Sequence, residues 1–239
     1  MSSTSQIRLP RAILFDHDGT LVQSEPLHWA AWGLVLQELG IPYIPADLQK
    51  MVGMTAPEIM TTLLTKHKPG WSPTEYDVHA LARRKNEHYL SNAQTQLRTY
   101  PGVRELLDWC RTVDIRIAVV SNAKQRELET ALGWLGILPK FDLVISRDTA
   151  GTSKPDPTGY LMAAASLELD VAECLAVEDS PTGIEASLMA KIPSAAVLTN
   201  FTREAMLEPV PGRPDLKPVW IGESMEILFQ DLKKAYEKR

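Results

Sequence analysis

The sequence predicts an α/β protein built on a doubly wound parallel sheet, with a helical domain inserted near its start. Three observations predict it. Beyond residue 100, short apolar runs alternate with helix-period segments, the signature of strands joined by crossover helices. The apolar runs stop abruptly at acids, hydroxyl residues or amides, which suits strands that deliver side chains to one shared edge. The span from Asp16 to Ser121, where the first two runs end, is far longer than one crossover helix requires, and its text is helical in pattern.

Taken in order, Ile13-Leu14-Phe15 reads as a strand that breaks at Asp16-His17-Asp18-Gly19-Thr20, where glycine suits a turn. The inserted domain is expected over residues 22–99. There Trp29, Trp32, Leu36 and Leu39 recur at helical spacing, Ile59, Leu63 and Leu64 follow, and a further helix spans 76–89. Loops at the two ends of the insert are expected to act as hinges. The core is then residues 1–21 with 100–239. It continues as a helix at 103–111, a strand at 116–120 stopping at Ser121-Asn122, and a helix at 126–135. A strand around Val144-Ile145 leads to a loop carrying Ser153-Lys154-Pro155, and a helix at 157–167 follows. Residues 174–177 form a strand that stops at Glu178-Asp179-Ser180, with Ser180 capping a helix at 181–190 and Pro181 at its first position. A Pro-rich loop at 208–218 precedes a short strand at 219–221 and a closing helix from Met225.

Composition narrows the function classes. With 239 residues, 44% hydrophobic and 23% charged, the chain can bury a substantial core in one or two domains. A formal net charge of −5 argues against a nucleic-acid surface, which needs clustered Lys and Arg. Arg83-Arg84-Lys85 is read as a solvated helix face. Cys110 and Cys174 sit within apolar patterns as buried, reduced thiols. The polar start and the lack of any bilayer-length apolar run predict a cytoplasmic protein without membrane contact.

Two carboxylates one residue apart at a strand end are suited to divided labour: one attacks an electrophile, the other moves protons, and a divalent cation sits against the pair. In the order DHDGT, SN, KP and EDS, the chain resembles the haloacid dehalogenase-like hydrolase superfamily, with a Rossmann-like core. Ser24-Glu25-Pro26-Leu27-His28 and Pro181-Thr182-Gly183-Ile184 resemble its β-phosphoglucomutase and sugar phosphatase branch, in which the helical insert is a cap.

The resemblance implies Asp16 as nucleophile, Asp18 as general acid and base, and Lys154 as the charge that neutralises the transferring phosphoryl group. It implies phosphate contacts from Gly19, Thr20, Ser121, Asn122 and Lys154. It also implies Mg²⁺ held by an Asp16 oxygen, the Asp18 backbone carbonyl and Asp179, with Glu178 as ligand or as partner to a ligand. General acid work near neutral pH calls for a raised pKa at Asp18.

Cap selectivity is expected from His28, Thr55 and Ala56. The loop 52–58 resembles the one that meets substrate in this branch, although Thr55 with Glu58 is equally a capping box. The branch's mutases carry Arg and Lys there to hold a second phosphate, whereas this chain has Ala56 and Val52, with Lys50 nearby. That departure favours a phosphatase on a small phosphorylated metabolite, such as a sugar phosphate, over a mutase, while intact Asp16, Asp18, Lys154 and Asp179 argue against a non-catalytic binding relative. His28 and Trp32, four apart, read first as a packed stripe. His17 is expected to alternate away from the two acids as a packing or loop residue, and His67, His79 and His88 lack zinc-ligand spacing. The presence of Asp18 disfavours a dehalogenase.

Overall fold

The computed structural model describes residues 7–49, 51 and 54–238. They form two compact units: described residues up to Gln23 together with those from Arg98, and Ser24–Leu97. Among them, no helix is long and apolar enough to cross a membrane.

The first strand, β1 (Ala12–Phe15), leads into the helical unit, whose elements are α1 (Glu25–Glu38), α2 (Pro45–Gln49), α3 (Ala56–His67) and α4 (Val78–Gln96). Leu27, Ala31, Trp32, Val35 and Leu36 make the buried stripe of α1, and Ile59, Met60, Leu63 and Leu64 that of α3. Trp32 is 2% exposed in a core shared with Val35, Leu36 and the four α3 residues, so it is a packing ring. Asp77 caps α4 by accepting from the His79 and Ala80 amides.

Lys85 departs from the solvated face expected of it. The residue is only 5% exposed, because the face of α4 that packs on α1 includes it. Its Nζ lies 2.6 Å from His28 Nδ1 and 5.4 Å from the Tyr89 ring centroid, and His28 stacks on Tyr89 at 4.0 Å. The three-residue basic run straddles two faces of the helix, which its charge alone does not reveal.

The other unit continues from β1 through α5 (Val103–Thr112), β2 (Arg116–Val120), α6 (Gln125–Trp134) and β3 (Leu143–Ile145). It then runs through α7 (Arg147–Ala150), α8 (Thr158–Ser166), β4 (Cys174–Glu178), α9 (Pro181–Met189) and β5 (Ser194–Val197). It closes with α10 (Arg203–Met206), β6 (Trp220–Gly222) and α11 (Met225–Glu237). The strands line up as β3-β2-β1-β4-β5-β6, and every adjacent pair is parallel. β1 and β4 are buried along their whole length, as central strands covered on both faces must be.

One strand of this sheet, β5, was not distinguished in the sequence. Its Ser-Ala-Ala-Val text is small and weakly β-forming, and its place is set by pairing with β4 and β6. Cys110 and Cys174 are buried free thiols, and burial pushes them up to about 12 and about 11 respectively.

Candidate active site

Sheet register brings the acids together. Phe15 pairs with Val119 on one side and Val177 on the other, so the next residue, Asp16, stands level with Val120 and Glu178 at the carboxyl ends of three strands. The Asp16 amide continues the ladder by donating to the Val177 carbonyl at 2.9 Å. Strand alternation then fixes the face. Ala12, Leu14, Ala118, Val120 and Ala176 all pack into the core cluster that holds Tyr160 of α8, and Asp16 and Glu178 extend the same alternation by one step.

Lys154, in the loop before α8, meets both acids from that side. Its Nζ donates to Asp16 Oδ1 at 2.6 Å, Glu178 Oε1 at 2.6 Å and the Val120 carbonyl at 2.7 Å. An ammonium has three N–H groups, and all three are used. The Lys154 side chain is 7% exposed and Glu178 is fully buried. Two buried carboxylates beside one ammonium hold their protons more tightly than usual: burial pushes Asp16 up against the pull of Lys154, and pushes Glu178 up to about 7. Burial alone would lower Lys154, but Asp16 and Glu178 together hold it above its ordinary value.

The turn after β1 is closed by donation from the Leu21 and Val22 amides to the His17 carbonyl and from the Gly19 amide to the Val22 carbonyl. His17 therefore does not alternate away as expected. The strand ends at Phe15, and within the turn His17 Nδ1 comes to 3.1 Å from Asp18 Oδ1. The Asp18 side chain is 37% exposed against 12% for Asp16, so of the two it is the one open to proton exchange.

Gly19 has a positive φ of +80°, and a Cβ there would come within 2.0 Å of Asp179 Oδ2. Its missing side chain is what lets Asp179 reach the turn. Thr20 is fully buried. Ser121 is buried and its Oγ accepts from the Ala123 amide at 3.0 Å, which leaves the hydroxyl proton unconsumed by that contact. Asn122 Oδ1 accepts from the Lys154 amide at 2.8 Å and so ties the second motif to the third. Ser121, Asn122, Lys154 and Tyr160 line a common cavity.

Three residues escaped the sequence reading. Asn200 donates to Asp179 Oδ2 at 2.7 Å, Thr199 donates to the Gly19 carbonyl at 2.6 Å, and Tyr160 donates to Glu178 Oε1. The first two follow β5, so the rule that found the other motifs would have found them had that strand been recognised. In the helical unit, Glu58 Oε2 accepts from both the Thr55 amide and its hydroxyl at 2.7 Å. Thr55 thus caps α3, and Ala56 is the first residue of that helix. Val52, Gly53 and Lys50 lie outside the described residues.

Asp16, Glu178 and Asp179 each offer an oxygen within 4.8 Å of the others, and all three are buried. Glu178 Oε2 is buried and has no hydrogen-bond partner among the described residues. An oxygen-only donor set with an orphaned carboxylate atom fits a hard divalent cation such as Mg²⁺.

Similarity to known proteins agrees with this geometry. The family described as haloacid dehalogenase-like hydrolase matches residues 13–197. The validoxylamine A 7'-phosphate phosphatase of Streptomyces hygroscopicus subsp. limoneus is 29% identical over 83% of this chain and 90% of its own. The β-phosphoglucomutase of Bacillus subtilis (strain 168) is 29% identical over 74% of this chain and 78% of its own. The crystal structure of the Clostridium difficile β-phosphoglucomutase superposes with a TM-score of 0.76 at 24% identity, covering 96% of this chain and 98% of that one, which speaks to fold alone. With an all-parallel sheet whose strand ends carry the four motifs in order, and a family match across most of its length, the chain belongs to the haloacid dehalogenase-like hydrolase family.

Proposed function

We propose that this chain is a Mg²⁺-dependent phosphatase that hydrolyses a small phosphorylated metabolite, with a sugar phosphate the favoured class, through a phospho-aspartate at Asp16. The observation that carries the reading is the single buried ammonium of Lys154 bridging Asp16 and Glu178 at the strand ends, with Asp179 in the same acidic group.

The chemistry follows from what a phosphate monoester requires. An Asp16 carboxylate oxygen attacks phosphorus, forming an acyl phosphate as the bond to the leaving alkoxide breaks. Asp18, the more exposed acid, gives that alkoxide its proton and then takes one from the water that attacks the acyl phosphate, releasing inorganic phosphate and restoring Asp16. Lys154 offsets negative charge on Asp16 and on the phosphoryl oxygens, and the Ser121 hydroxyl and nearby amides donate to those oxygens. Bound Mg²⁺, for which Asp16, Asp179, the Asp18 carbonyl and Glu178 are the proposed holders, supplies further neutralisation and favours ionised Asp16.

Residues 22–99 are proposed as the cap domain that sets substrate choice, with His28 its leading specificity residue because Lys85 Nζ lies 2.6 Å from it. A cytoplasmic location belongs to the same proposal. The likeness to a β-phosphoglucomutase keeps phosphotransfer as a second reading. Phosphate release from p-nitrophenyl phosphate and a metabolite panel, with and without Mg²⁺, separates the two from conversion of β-glucose 1-phosphate with a bisphosphate activator. Silence in both assays leaves the binding-only relative. Asp16→Asn should abolish turnover and covalent trapping of labelled phosphate, and a variant as fast as the parent would end the phospho-aspartate reading.

A further inference from the structure

Tyr160 has no part in the chemistry above, yet it is fully buried and its hydroxyl donates to Glu178 Oε1 at 2.5 Å. The same oxygen accepts from Lys154 at 2.6 Å, and the ammonium lies 5.2 Å from the Tyr160 ring centroid. The residue belongs to a stripe with Ala163 and Ala164 of α8 and Leu167 just after it, where a phenyl ring would fill the same space. Packing therefore accounts for the ring and leaves the hydroxyl to be explained by its one acceptor, a buried carboxylate.

That carboxylate is held asymmetrically. Oε1 receives two donors, whereas Oε2 is buried without a hydrogen-bond partner among the described residues. Gly183 beneath the carboxylate leaves space that a Cβ would close, coming within 1.9 Å of Oε2 and 2.3 Å of Oε1. With one oxygen pinned twice and the whole group packed over a glycine, the Glu178 carboxylate has little freedom to rotate about its terminal bond, a torsion that is otherwise soft. An oxygen kept bare in a buried acidic group costs free energy unless a cation or its bound water claims it.

We propose that Tyr160 is a positioning residue for the metal centre: by donating to Glu178 Oε1 it holds that carboxylate in the orientation in which it joins Asp16 and Asp179 around Mg²⁺. The inference rests on the metal-dependent reading above and adds to it a residue outside the four motifs. Lys154 alone cannot do the same work, because its three donors are divided among Asp16, Glu178 and the Val120 carbonyl.

The test is calorimetric titration of Mg²⁺ into metal-free parent and Tyr160→Phe proteins, which keeps the ring and removes only the hydroxyl. The Mg²⁺ dissociation constant of the variant should rise about tenfold, the scale seen when a partner of a metal ligand is lost. Its KM for p-nitrophenyl phosphate at saturating Mg²⁺ should stay within about twofold of the parent, since ground-state binding is untouched. Ser187→Ala removes a different buried hydroxyl, one paired with Ser194, and should leave Mg²⁺ affinity unchanged, so that general loosening of the core is told apart from an effect at the site. Parental affinity in Tyr160→Phe overturns the inference alone, whereas a parent that binds no Mg²⁺ overturns the metal reading and the inference with it. Should Tyr160→Phe fail to fold, 3-fluorotyrosine placed only at position 160 must show a ¹⁹F resonance that shifts on Mg²⁺ addition, and an unmoved resonance is equally fatal.

Discussion

Replacing Lys154 by Met removes the ammonium that Asp16 and Glu178 share while keeping an unbranched, largely apolar stem in its place. Nζ makes three hydrogen bonds of 2.6, 2.6 and 2.7 Å, and the side chain is 7% exposed, so water has little room to take over. Removing one partner of a buried ion pair costs roughly 3–5 kcal/mol, because the charges left behind are uncompensated. At about 1.4 kcal/mol per decade, the unfolded fraction of the metal-free protein should rise roughly 10²- to 10⁴-fold. Equilibrium urea unfolding at pH 8 in a chelator measures it. The sign of the pH dependence is a second check. Without Lys154 the folded-state affinities of Asp16 and Glu178 for protons rise further above their unfolded values, so the native state binds more protons and regains stability as pH falls. Acidification toward pH 5 should therefore close much of the gap, as should saturating Mg²⁺. A variant within about 1 kcal/mol of the parent at pH 8, or a loss indifferent to pH, would refute the shared-ammonium account.

The parent itself should show a milder form of this behaviour. Burial raises Glu178 from 4.5 to about 7, so metal-free stability should fall as pH rises through that window, by on the order of 3 kcal/mol, and level off above it. Chelated and Mg²⁺-saturated samples melted across pH 4.5–8 would expose the difference, and a flat chelated profile would count against it. Gly19→Ala should lose about 1–2 kcal/mol from its left-handed backbone alone. Because the new methyl would displace Asp179, turnover should fall by more than tenfold and Mg²⁺ affinity should drop with it; an Ala variant with parental kcat would mean that Asp179 is not needed where it stands.

What was legible in the sequence follows from how each feature is encoded. Strands such as Ile13-Leu14-Phe15 and 174–177 announce themselves because central parallel strands are apolar throughout, and the acids stand out by ending them. The same rule missed Thr199 and Asn200, since β5 is written in Ser and Ala and its identity depends on its neighbours in the sheet. His17 was misjudged because alternation was carried one residue past the strand into a turn, where side-chain direction is set by local hydrogen bonds instead. Lys85 was misjudged because a charge run says nothing about which of its members faces the neighbouring helix. Tyr160 falls within the helix expected at 157–167, but the acceptor of its hydroxyl lies on a strand that only the folded sheet brings near.

The distribution of charge gives the site its direction. Asp16, Glu178 and Asp179 are buried together, and the Lys154 ammonium is bonded to two of them, Asp16 and Glu178. If all three acids ionise, the cluster carries two more negative charges than positive, which a low-dielectric interior tolerates poorly. Protons relieve the imbalance in the metal-free protein, and burial makes Asp16 and Glu178 both hold them more tightly. A divalent cation would relieve it more completely, leaving Asp16 ionised and ready to attack while Lys154 still offsets charge beside it. An incoming phosphoryl group adds negative charge at the same place, so the acids, the ammonium and the cation have to be balanced against the transition state and not against the resting protein. A site tuned for stability alone would replace such a group with packed apolar side chains. Its presence at the converging ends of β1, β2 and β4 is what a catalytic site leads one to expect.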